Sequence, residues 1–333
     1  MISLDKMILD KDSAVARRMI EYGRVDELFI IIPTKEERVL DLSPTVHITG
    51  VGGKRLQQYR RLKKKGIELV RAHEIHFITA QDPSWSGNIG RWLKHKTGAT
   101  LELQLHGDFY VSNFYKKHLK DFIGYFWFAK RNIRSADRIR VVSERTKKSA
   151  IDLGVDPRKI YVRAVPLNYY EPYKEAKAKS KFHSDNPIKK QYHGYVKIFL
   201  WGGMMEPVKN LDFLIDVFSD IQRKQKEFLL LLIGEGSQEE RLKGKVKKLG
   251  LDNHVKFVRW VDTLTVYLVN VDCVLLPSFY ESYSRLAMEA AAAGTPVIMS
   301  DVGVANYELK PSEKVKIIPL SDRQGWINAI LTI

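Results

Sequence analysis

Residues 280–300, YESYSRLAMEAAAAGTPVIMS, decide how the rest of the chain is understood. The run divides into a loop, a helix, a tight turn and a buried strand. Ser282 and Ser284 stand at the helix start, where backbone N–H groups lack partners within the helix and can meet an anion. Four consecutive alanines, residues 290–293, let the helix lie close to its neighbours. Gly294 stops it and Pro296 prevents continuation. Two carboxylates flank the helix start, Glu281 at its mouth and Glu289 two turns inside.

Working outward, the same alternation of apolar runs and helical stretches continues. Strands are expected at residues 196–201, 228–233, 255–258, 271–276 and 316–318, with helices at 210–225, 238–249 and 263–269. Before this block, residues 166–195 carry Pro166, Pro172, Pro187 and a KEAKAKSK run, which breaks the pattern and suggests a connection. A second alternating block precedes it. Its expected strands are 27–33, 46–49, 75–79, 101–105, 139–142 and 160–165, with 2–4 as a short apolar stretch beside them. Its helices are 13–21, 55–66, 84–95, a long region from 113 to about 135, and one ending at 153. Strands alternating with helices over short turns imply βαβ units and mainly parallel sheets. The expected organisation is a first domain over 1–168, a connection over 169–195 and a second domain over 196–333. Ligands should gather at the carboxyl ends of strands facing the cleft between them.

A chain of 333 residues, 44% hydrophobic and 11% aromatic, can build two cores. Its single cysteine, Cys273, sits in the apolar run VDCVLLP, so an internal disulfide is excluded and a packing role is expected. The first residues are too charged for a secretory signal, and the longest apolar candidate, FIGYFWFA at 122–129, is far too short to span a bilayer. A cytoplasmic, non-integral protein is expected. The net charge of +16 is uneven: residues 1–180 hold 35 Lys and Arg against 21 Asp and Glu, a net of +14, leaving +2 for the remainder. Residues 114–148 interleave those cations with Phe, Tyr and Trp. That composition suits the headgroup region of an anionic membrane on its cytoplasmic face, or else a solvated face over a core. No nucleic-acid motif accompanies the charge, and nucleic acid is not expected as a partner. Oligomeric state is not legible.

The ordered motifs WGGMMEPVKN (201–210), LLLIGEGS (230–237), VKFVRWV (255–261) and VDCVLLPSFYESYSRLAMEAAAAGTPVIMSDVG (271–303) resemble the nucleotide-binding domain of retaining GT-B glycosyltransferases, the family of sucrose synthases and lipid-linked mannosyltransferases. The match extends more loosely to 79–110 and 135–168. It implies an α/β, GT-B architecture of two Rossmann-like, doubly wound domains facing a central cleft. It also implies transfer of a sugar from a nucleoside-diphosphate sugar to a glycan or membrane-associated acceptor, without a bound metal or other cofactor.

Under that resemblance Glu281 serves the transferred sugar and reaction centre, Lys209 the diphosphate, and His106 the donor sugar from the first domain. Glu289 would accept from the ribose hydroxyls. Ser282, Tyr283 and Ser284 offer the helix N-terminus, Gly203, Gly234 and Gly236 close backbone approach, and Arg259 and Val261 a lining for the base. Asp82 and Asp108, at strand ends, are acceptor-side candidates. Each has a plainer reading: Glu281 as an N-cap, Glu289 on a solvated helix face, Lys209 as a surface lysine, His106 and the glycines as turn residues, the two aspartates as turn chemistry. The sequence GVGG at 50–53 hints at a dinucleotide turn, but Arg55 stands where its third glycine belongs.

Met204 is the main departure. The family carries an arginine there, and methionine cannot donate; Arg285 is the candidate replacement. The glycine-rich loop after the first strand is replaced by LDKMILDKDS, and the chain ends in WINAILTI without the expected closing helix. A catalytically weak relative that binds nucleotide or glycan is therefore the alternative reading.

Overall fold

A computed structural model describes residues 1–108, 112, 116, 122–164, 171–180, 186–261 and 263–333. The chain divides into two compact units. One comprises Met1–Val142 with Thr146–Arg163, the other Ser143–Arg145 with Ala164–Ile333.

The first unit opens with helix α1 (Ala14–Tyr22), started by the Ser13 hydroxyl accepting from Ala16 N–H. Strands β1 (Leu28–Pro33), β2 (Arg38–Ser43) and β3 (Val46–Val51) follow. Parallel β1 and β3 pair in the middle, and β2 runs antiparallel along the edge of β3. Sequence reading missed β2. Its apolar face is only Leu40 and Leu42, half-buried against the small core beside β1 and β3, while Val39 points outward, so the pattern is too short to announce a strand. The chain continues through α2 (Arg55–Ala72), β4 (Phe77–Ala80), α3 (Trp85–Thr97), β5 (Thr100–Leu105), α4 (Phe122–Ser135), β6 (Arg138–Val141), α5 (Glu144–Asp152) and β7 (Ile160–Val162). Strands β4, β5, β6 and β7 form a parallel sheet in that order. Ile2 joins it to the first sheet, bridging Ile31 of β1 and Ala80 of β4.

The glycines at 50–53 pack rather than cradle a phosphate. A side-chain carbon on Gly52 would lie 2.8 Å from Glu37 N, and one on Gly50 2.7 Å from the Thr34 methyl. Most of the expected helix before Phe122 lies outside the described residues. Within α4, Ala129 and Ile133 are buried while Trp127 and Phe128 face solvent, so the aromatic run is divided between core and surface.

The second unit begins with α6 (Glu171–Ser180) and α7 (Pro187–Gln191), both inside the stretch expected to be a bare connection. Tyr173 and Ile188 anchor them in this unit's core. Then come β8 (Lys197–Gly202), α8 (Leu211–Gln222), β9 (Phe228–Ile233), α9 (Glu239–Lys248), β10 (Val255–Val258), α10 (Thr265–Leu268), β11 (Cys273–Leu276), α11 (Arg285–Ala292), β12 (Val297–Met299), β13 (Val315–Ile317) and α12 (Arg323–Leu331). All six strands are parallel, in the order β10-β9-β8-β11-β12-β13. The order reverses between β8 and β11, which places a ligand crevice at their carboxyl ends. Every residue of β9, FLLLLI, is buried, as a strand covered on both faces requires. The terminal WINAILTI, read only as an apolar run, supplies most of α12; Trp326 meets Phe213 of α8 edge to face, with ring centroids 5.5 Å apart.

Candidate active site

Beside the crevice, the loops after β8 and β9 pack backbone on backbone. Gly203 (φ 144°) follows β8 and Gly234 (φ 135°) follows β9; a side-chain carbon on Gly234 would lie 1.9 Å from the Gly203 carbonyl oxygen. One on Gly236 (φ 158°) would lie 2.5 Å from Met205 N. Both positions need glycine. The two loops are tied by Gly203 N–H to Ile233 O at 2.9 Å and Met205 N–H to Glu235 O at 2.8 Å. Glu206 closes the second loop by accepting from Ser237 N–H and hydroxyl.

Lys209 ends a short 3-10 turn, and Asn210 behind it adopts a left-handed conformation that starts α8. From there the Lys209 ammonium reaches both carboxylate oxygens of Glu281, at 2.8 and 2.9 Å. Ser278 hydroxyl donates to the same carboxylate at 2.7 Å. Phe279 N–H donates to Val208 O, fixing the Glu281 loop on the lysine turn. Side-chain exposure of 24% for Lys209 and 11% for Glu281 makes the pair half-desolvated, where a charge-assisted contact outweighs a surface one.

Helix α11 starts abruptly. Ser284 holds φ 72°, ψ 62° and its side chain does not cap the helix, whose N-terminal end carries the positive end of the helix dipole. The Ser284 hydroxyl is buried without a hydrogen-bond partner. It rests against Gly303, where a side-chain carbon would approach it to 2.3 Å. Strain and an orphaned hydroxyl at a helix mouth mark a site held in place by its surroundings. One turn into the helix, Glu289 is only 5% exposed. Burial raises its pKa, while the Arg285 guanidinium, donating at 3.1 Å, and the Tyr173 hydroxyl pull it back. Tyr173 in turn is pushed up to about 12, first by burial and then by the Glu289 charge, so it remains a donor through neutral pH.

These groups line one cavity of about 420 Å³. Of the residues expected from the sequence, Lys209, Glu281, Glu289, Ser282, Tyr283, Ser284, Gly203 and Val261 are on its wall, with Arg285. Gly234 and Gly236 lie behind the wall as packing residues, and Arg259 is exposed outside it. Met204 is 61% exposed and also off the wall. Sequence reasoning missed Tyr173, Trp201 and Thr263. Trp260 falls inside the 259–261 stretch expected to line the base; Tyr173 carried no signal, being in a charged stretch that resembled a linker.

The remaining candidates belong to the first unit. Asp82 is saturated: its carboxylate accepts from Ser84 N–H and hydroxyl, Trp85 N–H and Ser86 N–H, capping α3. Asp108 is buried and accepts from Ser149 hydroxyl at 2.9 Å. His106 follows β5 with an exposed ring. The protein mass around it lowers its pKa below 6.5, helped by Arg140 and Arg18 and opposed by Asp82. The open ring surface argues that this shift is modest, and His106 is neutral at pH 7.

Two family models cover most of the chain. One, described as glycosyl transferases group 1, matches residues 185–332; the other, glycosyltransferase family 4, matches residues 17–163. The chain belongs to the group 1 glycosyltransferases. A D-inositol 3-phosphate glycosyltransferase from Jonesia denitrificans is 30% identical to this group 1 chain over 142 residues, 40% of this chain and 34% of that one. A glycogen synthase from Mycobacterium tuberculosis is 33% identical over 106 residues, 31% and 26% of the two chains. The matched part thus spans about a third of these relatives or less. Among solved structures, sucrose-phosphate synthase from Thermosynechococcus elongatus superposes with a TM-score of 0.71 at 20% identity, covering 100% of this chain and 88% of that one. An Anabaena protein solved with UDP gives 0.68 at 16% identity, over 91% and 81%. At such identities the likeness is one of fold, and the fold is GT-B, two Rossmann-like domains.

Proposed function

We propose that this chain transfers a sugar, with retention, from a nucleoside-diphosphate sugar to a glycan or membrane-associated acceptor, without a resident metal. The observation that carries the reading is the Lys209–Glu281 pair beside the uncapped start of α11, in the same cavity as Glu289. A departing diphosphate gains negative charge as its bond to the sugar breaks, and donors fixed beforehand stabilise it without reorganisation. Lys209 and the first amides of α11 are such donors. Glu281 faces the sugar, Glu289 takes the ribose hydroxyls, and Trp260 beside Val261 offers the base an apolar platform. In the retaining step the acceptor oxygen bonds to the anomeric carbon on the face from which the phosphate leaves. The acceptor proton passes to the departing phosphate oxygen, so atoms and charge balance. Relatives by fold include a protein solved with UDP-glucose, which supports the donor class.

Met204 favours a second reading, a nucleotide-binding module with little turnover. The local charges of Lys209 and Arg285 are already matched by Glu281 and Glu289, so a diphosphate finds few spare cations. One donor panel separates the two. Wild-type chain is assayed for transfer and hydrolysis against UDP-, GDP- and ADP-sugars, with EDTA present and absent. Transfer with one donor, unaffected by EDTA and reduced about 100-fold or more in Lys209→Ala and Glu281→Ala, is expected. Tight diphosphate binding with no turnover on any donor selects the module.

A further inference from the structure

In the first unit, helix α3 packs on both α2 and α4, and the charge of the three helices is one-sided. Together they hold thirteen Lys and Arg, seven on α2 and three on each of the others, against a single acid, Glu68. Three of those cations meet carboxylates: Arg61 meets Glu37, Lys65 meets Glu68 and Lys94 meets Asp137. The cations of the seam between α2 and α3 meet rings instead. Arg55 lies over the Trp85 ring at 5.3 Å, and Lys63 lies over the Tyr59 ring at 4.3 Å and the Trp92 ring at 5.0 Å. Among the described residues no carboxylate forms an ion pair with either.

Helix spacing produces this arrangement. Arg55, Tyr59 and Lys63 recur every four residues on one face of α2, and Trp85, Asn88 and Trp92 share the side of α3 that meets it. The Tyr59 hydroxyl donates to Asn88 Oδ1, and its ring meets Trp85 edge to face with centroids 5.3 Å apart, which fixes the register of the two helices. Cation and ring alternate over about 12 Å of helix. The strip begins just past the carboxyl ends of β3 and β4, the end of such sheets where ligands gather.

A ring holds a cation in place without neutralising it, whereas a carboxylate does both. Two fixed cations with unmatched charge favour an anion. Arg91, which donates Nε–H to Asn132 of α4 at 3.1 Å, extends the field. Burial and then the Arg131 charge lower its pKa, the reverse of what a carboxylate neighbour does. Tyr59, Trp85 and Trp92 are half-buried with cations lying over them, so they offer no open platform for a nucleobase. Nor do they protrude as an interfacial anchor does.

We propose that the seam between α2 and α3 is a binding track for an anionic glycan, a sugar chain bearing carboxylates or phosphates, and that it presents such a chain as the acceptor. The acceptor role rests on the transfer reading above; the binding track does not.

The test measures binding of the full chain to dextran, carboxymethyl-dextran and phosphorylated dextran, by titration calorimetry at low and moderate salt. The three share one backbone and differ in charge. Wild type is expected to bind one or both charged polymers, less tightly as salt rises, and to ignore dextran. Arg55→Gln with Lys63→Gln is expected to weaken that binding roughly tenfold or more, with nucleoside-diphosphate affinity unchanged. A control pair, Lys148→Gln with Arg158→Gln, loses the same charge from surface ion pairs of the same unit and should bind as wild type. Arg55→Lys with Lys63→Arg keeps both charges and should retain binding. Equal loss in the seam and control pairs reduces the effect to net charge and overturns the track. A seam dependence seen only with anionic vesicles or a single-stranded oligonucleotide overturns it too, as does a wild type that binds neither charged polymer. Should the seam pair fold poorly, its single variants replace it: weaker binding in each supports the track, and no loss in either overturns it. Charged polymer bound through the seam, with no sugar transferred from any donor, supports the track and counts against the transfer reading. Transfer to neutral acceptors alone, at a rate that the seam pair leaves unchanged, overturns the acceptor role.

Discussion

At the scale of single residues, the site combines charges that cancel with a backbone that strains. Lys209 is paired with Glu281 and Arg285 with Glu289, so each of these two cations of the cavity carries its own counter-charge. Ser284 sits in a conformation that costs a non-glycine residue about 1–2 kcal/mol, and its hydroxyl is buried without a partner. Glycine there removes both penalties. Ser284→Gly is therefore expected to raise unfolding free energy by about 1 kcal/mol in denaturant titration while nucleotide affinity is unchanged, since the hydroxyl faces Gly303 and the amides remain. A drop in affinity would show that the hydroxyl itself reaches the ligand.

At the scale of elements, the crevice depends on two loops that touch through their backbones. Alanine at Gly234 would drive a methyl group into the Gly203 carbonyl at a φ that L-residues avoid. Gly234→Ala should cost more than about 3 kcal/mol of stability, read by chemical denaturation, whereas Gly244→Ala in α9, where nothing lies within 4 Å, should be neutral or stabilising. Equal effects would show that the contact is not decisive. The same elements show what the sequence made legible. The run VDCVLLPSFYESYSRLAMEAAAAGTPVIMS marks β11, α11 and β12 because buried strands and an alanine-rich helix leave strong apolar signatures. Strand β2 was illegible because two half-buried leucines, Leu40 and Leu42, among charged neighbours are too short a pattern. Helix α6 was hidden because one buried tyrosine among lysines and glutamates is not a periodic pattern. Asp82 and Asp108 stood at the right strand ends, but only their hydrogen-bond partners reveal that they hold a helix and a neighbouring hydroxyl.

At the scale of the whole molecule, charge separates the two halves of the sequence. The first 180 residues carry a net of +14 and the rest +2. On the first unit, Trp127 and Phe128 are exposed, Arg131 stacks over Trp127 at 5.5 Å, and Lys130 reaches the Phe126 ring at 5.9 Å. Among the described residues no helix is long and apolar enough to cross a membrane. Vesicles containing anionic lipid are expected to sediment the chain at low salt and release it as salt rises. Trp127→Ser with Phe128→Ser should weaken that binding at least tenfold without altering nucleotide affinity. Equal binding to neutral vesicles, or no effect of the double substitution, would remove the membrane from the account of the acceptor.

The backbone contact between Gly203 on the cavity wall and Gly234 behind it has a bearing on how such a site can diverge. A contact without side chains offers nothing for substitution to tune, and almost any replacement breaks it. The rim is different: Trp260, Val261 and Thr263 are partly or fully exposed, where replacements usually shift stability by less than about 0.5 kcal/mol. On the proposed nucleotide reading, a descendant of this chain could exchange one nucleobase for another by a few changes on the rim, while the glycine-packed loops passed through unaltered. Inheritance would then fix the anchoring chemistry and leave the identity of the donor open to selection.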